Sequence, residues 1–248
     1  MGLLSSKHRK RKIAITLVSL FLVLVTAVGA VCLYVGDYYR PDKKAVEAFS
    51  YGSPVTEREL KGGLAFLPED PQAGFIFYPG GKVEYTAYKP LMTALAEKGV
   101  LCVLLKMPLN LAVLDVNAAE GVQEDFPEID RWYIGGHSLG GSMAASYISS
   151  KGSPSGLVLL GAYSTADLTK GDCRVLSVYG SEDGVLNREK YEKYRSNLPD
   201  GFTERVIEGG CHAYFGMYGR QDGDGEPSIS PEEQVHKAAE IVAEFILN

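Results

Sequence analysis

Ser138 stands in Gly136-His137-Ser138-Leu139-Gly140, where the apolar run Trp132–Ile134 ends and a stretch of small residues, Leu139–Ser150, begins. A strand, a glycine-flanked serine and then a helix is the arrangement that puts a hydroxyl at the tip of a strained turn. Gly136 and Gly140 leave room where side chains would clash, and Gly141, Ala144 and Ala145 let the helix lie close to its sheet. The helix start also turns backbone N–H groups toward any negative charge developing at the serine. A serine hydroxyl is a weak nucleophile until a base takes its proton. Of the four histidines, His8 lies in a basic N-terminal segment, His137 adjoins the serine and should point elsewhere, and His236 lies within the closing helix. His212, in "EGGCHAYFG" just after the last strand, is the candidate base. A third group, a carboxylate, would hold the imidazole in the right tautomer. Asp183 in "VYGSEDGV" fits a loop projecting from a strand end, with Glu182 and Asp172 as rivals. Chemically the trio is suited to acyl transfer through a covalent acyl-enzyme.

The elements around these residues alternate. A hairpin is expected from "PVTEREL" and "GLAFLP" around Lys61-Gly62-Gly63. Buried strands are expected at Ala73–Gly81, Val100–Pro108 and Arg131–Gly136, and further strands at Gly156–Gly161, Cys173–Gly180 and Thr203–Gly210. Helices are expected at Tyr88–Gly99, Leu111–Phe126, after Ser138, at Asn187–Pro199 and at Ser230–Asn248. Ser230, Pro231 and Glu233 form an N-cap, a first-turn proline and a capping box. Continuous apolar strands alternating with helices imply a mostly parallel sheet covered on both faces. The order Ser138, Asp183, His212 is the one such a sheet uses for a triad.

The first residues differ from the rest. "KHRKRK" (Lys7–Lys12) precedes 23 uncharged residues, Ile13–Val35, long enough to cross a bilayer as a helix. Basic residues on its N-terminal side favour a cytoplasmic N-terminus and an extracytoplasmic remainder. The expected organisation is therefore a basic cytoplasmic tail at 1–12, a transmembrane helix at 13–35, a linker at 36–54 and one folded domain at 55–248. A cleaved signal peptide is the alternative, since "AVGA" ends in small residues, but the apolar run exceeds the usual signal length of ~7–15 residues. The start "MGLLSS" matches a myristoylation pattern and is read as coincidence beside a spanning segment. Setting aside the five Lys and Arg of the basic segment leaves 20 basic residues of 25 against 31 acidic ones, a net charge of −11. Such a domain is ill suited to nucleic acid, which selects basic patches. Cys32, Cys102, Cys173 and Cys211 have no metal-binding spacing. No metal and no cofactor are expected.

With these motifs in hand, the chain resembles the α/β-hydrolase fold family, in its compact lysophospholipase/dienelactone-hydrolase-like, membrane-anchored bacterial form. The resemblance is carried by "FYPGGKV", "GGHSLGG", "GSEDGV" and "GCHAYFGMYGRQDGDGEPSISPEEQ", and spans roughly Val55 to the C-terminus. It departs from dienelactone hydrolases proper, whose nucleophile is a cysteine; here the position is Ser138. The resemblance implies an oxyanion hole of two backbone N–H groups, that of Leu139 and one from "YPGGK", with Gly81 aligned to the donor and Lys82 the neighbouring possibility. Pro79 replaces the usual histidine of that loop without removing its backbone role. The implied activity is that of a carboxylesterase- or lysophospholipase-like serine hydrolase acting on a small-molecule or lipid-like ester. The short segment Ala162–Asp172, where relatives often carry lids, predicts no large cap and an open site.

Other readings bear on the same residues. An acyltransferase would use the same triad, and a non-catalytic binding module on this fold would be expected to lose a member of it. Lys82, Glu84 and Tyr85 could line the substrate site or lie on the loop surface. "QDGDGEP" (Gln221–Pro227) alternates carboxylates but lacks the twelve-residue calcium-loop spacing, so a solvated loop beside His212 is expected. Cys211 is read as a packing residue, and Cys102 as a small buried hydrophobe.

Overall fold

The computed structural model describes every residue except Met1, Ser50, Tyr51 and Ser153, and side chains from Arg11 onward. Two compact units are present, Met1–Tyr38 and Tyr39–Asn248. The first is essentially one helix, α1 (Gly2–Gly36). Its segment Arg11–Gly36 has a mean hydropathy of 2.6 over its most apolar window, none of it buried, and could cross a membrane by length and composition; a signal sequence would meet the same criterion.

The second unit is built on an eight-stranded sheet. Its strands are β1 (Thr56–Leu60), β2 (Gly63–Leu67), β3 (Ala73–Tyr78), β4 (Val100–Leu105), β5 (Trp132–His137), β6 (Gly156–Leu160), β7 (Arg174–Gly180) and β8 (Thr203–Ile207). They lie in the order β1-β2-β4-β3-β5-β6-β7-β8. β1–β2 and β2–β4 pair antiparallel and every later pairing is parallel, so the expected mostly parallel sheet is present. β3 and β4 are buried at every position because both faces of the sheet are covered there. Phe75, Phe77, Cys102 and Leu104 pack on one side with Leu91, Leu95, Val235 and Val242 of helices α3 (Lys89–Ala96) and α6 (Pro231–Leu247). Their neighbours Ile76, Tyr78, Leu101 and Val103 face the other way, against Ala144, Ala145 and Ile148 of α4 (Leu139–Lys151). Successive strand residues thus feed alternate cores, as a period of two requires.

Two short helices complete the unit, α2 (Lys43–Ala48) and α5 (Arg188–Tyr194). Caps place the ends: Asn187 Oδ1 accepts from Lys190 N–H at 2.8 Å, and Ser230 Oγ accepts from Glu233 N–H at 3.1 Å. The parallel topology sets the C-terminal ends of β3 and β5–β8 along one edge, where binding and catalytic residues of such sheets collect.

Two expectations need correction. Leu111–Phe126 is not a helix; only the 3₁₀ turns Ala112–Leu114 and Val122–Asp125 form. Leu109 and Asn110 enter the segment at φ 52° and 57°, outside helical space, and the Tyr78 hydroxyl donates to Val116 O (2.8 Å) and accepts from Ala119 N–H (3.0 Å). A core side chain therefore takes the backbone groups that an α-helix would have paired internally. The folded unit also begins before residue 55. Tyr39 pairs with Val83, Asp42 caps α2 and Phe49 is buried, so much of the expected linker belongs to the unit. Ser50 and Tyr51 of that span lie outside the described residues.

Candidate active site

β5 ends at His137 and α4 begins at Leu139, so the whole reversal from strand to helix falls on Ser138, at φ 52° and ψ −120°. A side chain rarely adopts that conformation, and the strain is of order 1–3 kcal/mol. Two features hold it. Ser138 N–H donates to Leu160 O on the neighbouring strand at 2.9 Å, and Ser138 O accepts from Ser142 N–H at 3.2 Å. Close packing does the rest: a Cβ added to Gly136 would lie 2.4 Å from Tyr78 O, and one on Gly140 2.2 Å from the same oxygen. The glycines are thus required by the approach of β3, and Ser138 is left half-buried at the sheet edge.

Asp183 follows β7 and His212 follows β8, and the structure brings them together. Asp183 Oδ2 lies 2.9 Å from His212 Nδ1, with the imidazole 1% and the aspartate 7% exposed. Asp183 Oδ1 accepts from Val185 N–H (3.0 Å) and Leu186 N–H (2.8 Å), which fixes the carboxylate in its turn. The rivals are placed differently: Glu182 accepts from the Ser181 hydroxyl, and Asp172 lies at the start of β7, at the opposite end of the strand. His212 Nε2 is buried without a hydrogen-bond partner, so no bond to Ser138 Oγ is formed. Adjacent residues of the β6 end touch both. Leu160 holds Ser138, and a Cβ on the next residue, Gly161, would lie 3.0 Å from His212 Nδ1. A Cβ on Gly81 would meet Leu139 Cδ2 at 2.9 Å, so the loop after β3 reaches the start of α4. Lys82 N–H donates to Asn110 O at 2.8 Å and is therefore committed elsewhere.

His137 points away from the serine's solvent side, into a buried aromatic cluster. Its ring lies 4.5 Å from that of His212, and its Nδ1 2.8 Å from the Tyr88 hydroxyl. Burial, then the neighbouring His212, holds its pKa well below the usual imidazole value. The Tyr88 hydroxyl also accepts from Gly80 N–H at 3.2 Å, so one buried phenol joins the glycine loop after β3 to the residue preceding Ser138.

Asp224 escaped the sequence reading. Its Oδ1 accepts from His212 N–H (3.0 Å), Gly225 N–H (2.9 Å) and Gly184 N–H (3.2 Å), and its Oδ2 from Ala213 N–H (2.8 Å). Partial burial would raise its pKa, but the hydrogen bonds from Ala213, His212 and Gly184 outweigh this and lower it. One carboxylate thus ties the loop of the acid to the loop of the histidine. Gln234 on α6 was also missed: its Oε1 accepts from Cys211 N–H (2.9 Å) and its Nε2 donates to Cys211 O (2.7 Å). The clue to Asp224 was a carboxylate among glycines close after His212; nothing local marked Gln234.

Cys211 is fully buried, and burial, aided by Asp224, pushes its thiol up to about 12, as suits a packing residue. Glu84 accepts from the Thr86 hydroxyl, and Lys106 lies over the Tyr85 ring, so these two loop residues have partners of their own. Among the described residues, no three His, Cys, Asp or Glu side chains converge as metal ligands.

Comparison with known proteins agrees with this architecture. A family model described as the alpha/beta hydrolase family matches residues 74–236. Among solved structures, TT1662 from Thermus thermophilus superposes with a TM-score of 0.58 at 16% identity, over 79% of this chain and 100% of that one. A CIB-like hydrolase from Thermoplasma acidophilum gives 0.55 at 16% identity, over 78% and 100%. A dienelactone hydrolase from Anabaena variabilis gives 0.57 at 14% identity, over 77% and 97%. At such identities the likeness is one of fold. No curated protein sequence matches the chain.

Proposed function

The chain belongs to the alpha/beta hydrolase family, and we propose that it is a serine hydrolase that cleaves carboxylic esters through Ser138, His212 and Asp183. The observation that carries this reading is the buried Asp183–His212 pair, whose unpartnered Nε2 lies on the strand edge that also holds the strained Ser138. His212 Nε2 takes the Ser138 proton as Oγ attacks the acyl carbon. Asp183 holds Nδ1–H and favours the imidazolium that results. The tetrahedral oxyanion is received by the N–H groups of Leu139 and Gly81, with the start of α4 adding its dipole. The commitment of Lys82 N–H to Asn110 favours Gly81 as the second donor. His212 then returns the proton to the departing alcohol, and water attacks the acyl-enzyme by the same route in reverse. The Ser138–His212 contact closes in this scheme when substrate is bound, as catalytic hydrogen bonds often tighten only then.

In the same proposal α1 stays in the membrane with its basic end in the cytoplasm, and the hydrolase unit lies outside. Its test is protease digestion of intact cells, where a protected hydrolase unit would sink the topology. The chemistry is tested with a fluorophosphonate probe on the full chain in detergent. Labelling should occur at Ser138 and disappear in Ser138→Ala and His212→Ala. An unlabelled but folded wild-type protein would overturn the assignment.

A further inference from the structure

Outside α1, the exposed large apolar side chains are concentrated in one short stretch. Leu109, Val113 and Leu114 are 55%, 53% and 54% exposed, and only Val206 joins them among the described residues. The whole stretch Met107–Leu114 carries no charge. It is not a frayed loop. Asn110 O accepts the Lys82 N–H at 2.8 Å, and the turn Ala112–Leu114 packs on α4, the helix that starts beside Ser138. The stretch is therefore fixed to the glycine loop next to the nucleophile.

The opposite side of that loop is held by the first residue of the folded unit. Tyr39 N–H donates to Lys82 O at 2.7 Å, and Glu84 N–H donates to Tyr39 O at 2.9 Å. Tyr39 comes three positions after Gly36, the last residue of α1. Three residues of fully extended chain reach about 10–11 Å. By chain length alone, a membrane-inserted α1 keeps Tyr39 and the loop it grips close to the bilayer surface.

We infer that the stretch Met107–Leu114 is a membrane-contacting surface: its exposed side chains Leu109, Val113 and Leu114 enter the interface of the bilayer that holds α1, and the site at Ser138 takes its ester from that bilayer. The inference rests on the serine-hydrolase reading for the ester and on the anchor reading for α1. The occupant is lipid rather than a second protein because the chain can stray so little between α1 and Tyr39. Since Met107–Leu114 is uncharged, apolar burial drives the contact, and neither anionic lipid nor low salt is needed. Lipid bearing an ester at headgroup depth is thereby presented beside the nucleophile without a large lid.

The test uses the full chain in phosphatidylcholine nanodiscs, with and without brominated acyl chains. Leu109→Trp and Val113→Trp are compared with Asp172→Trp, placed at the opposite end of the parallel strands; the native Trp132 is buried and supplies a constant background. Quenching of about twofold at both test positions is expected, unchanged by salt, with none at the control. No quenching at either test position overturns the inference. The triple variant Leu109→Ser/Val113→Ser/Leu114→Ser should hydrolyse a long-chain ester in vesicles about fivefold more slowly. Its fluorophosphonate labelling rate should stay at the wild-type value. Equal losses in both assays would make the stretch part of the site itself and refute a membrane role. Quenching does not require a reactive serine, so quenching with no labelling of wild type would remove the hydrolase reading and leave the surface standing.

Discussion

Replacing Asp224 by asparagine separates charge from shape at the junction of the acid and histidine loops. The aspartate receives four backbone N–H groups, one of them, from Ala213, on Oδ2 alone. An asparagine oriented to keep the three Oδ1 bonds would turn its NH₂ toward Ala213 N–H, setting donor against donor. A lost hydrogen bond to a charged group costs about 1.5–3 kcal/mol. Partial exposure of the carboxylate puts the expected loss near the lower end, about 1.5–2 kcal/mol. For a unit of this size that lowers the unfolding midpoint by roughly 3–8 °C. Function should suffer more, because a shift of the His212 backbone by about 1 Å can cost of order 100-fold in rate. Fluorophosphonate labelling rate and thermal unfolding of the same samples measure the two effects. The pH dependence adds a signature. The folded-state pKa lies below the ordinary carboxylate value, so its stabilisation is complete above the unfolded pKa of about 4 and is lost as pH falls through the folded pKa. Wild type should therefore approach the variant's stability only below about pH 4. A variant with wild-type midpoint and labelling rate at pH 7 would refute the idea that this charge holds the two loops.

Three further outcomes are expected. Ser138→Gly should abolish labelling yet raise stability by about 1 kcal/mol, measured by denaturant unfolding, because glycine accepts φ 52° without strain. Tyr88→Phe strips a partner from Gly80 N–H and from His137 Nδ1 in a fully buried place; about 2–4 kcal/mol of stability should be lost, and labelling of Ser138 slowed. Cys211, with its thiol pushed up to about 12, should resist iodoacetamide at pH 8 in the native protein and react once unfolded, as mass spectrometry can follow.

The centre of the sheet was legible because β3, β4 and β6 are runs of apolar residues and glycine buried at every position, a pattern that two-sided burial explains. Ser138, His212 and Asp183 were legible as candidates because each sits at a strand end marked by glycine, where periodicity stops. What the sequence hid are contacts between segments that share no local pattern. Leu111–Phe126 has apolar residues at helical spacing, yet Tyr78, far upstream, claims its backbone groups. Asp224 looks like a loop carboxylate until the fold brings it under His212 and Gly184. Residues 39–49 read as polar linker, although Tyr39 is bound by a loop distant in sequence and Phe49 is buried.

Gln234 gives the protein an order of assembly. Its amide grips both backbone groups of Cys211, the residue before His212, from α6, 23 residues further along the chain. During synthesis the turn at Ser138 is complete long before α6 leaves the ribosome, so the His212 loop lacks this one of its anchors until α6 emerges. On the proposed serine-hydrolase reading, a nascent chain would thus be silent toward esters until α6 has emerged. Ribosome-bound chains ending before Ser230 should resist fluorophosphonate, and labelling of such chains would show that the histidine loop sets itself.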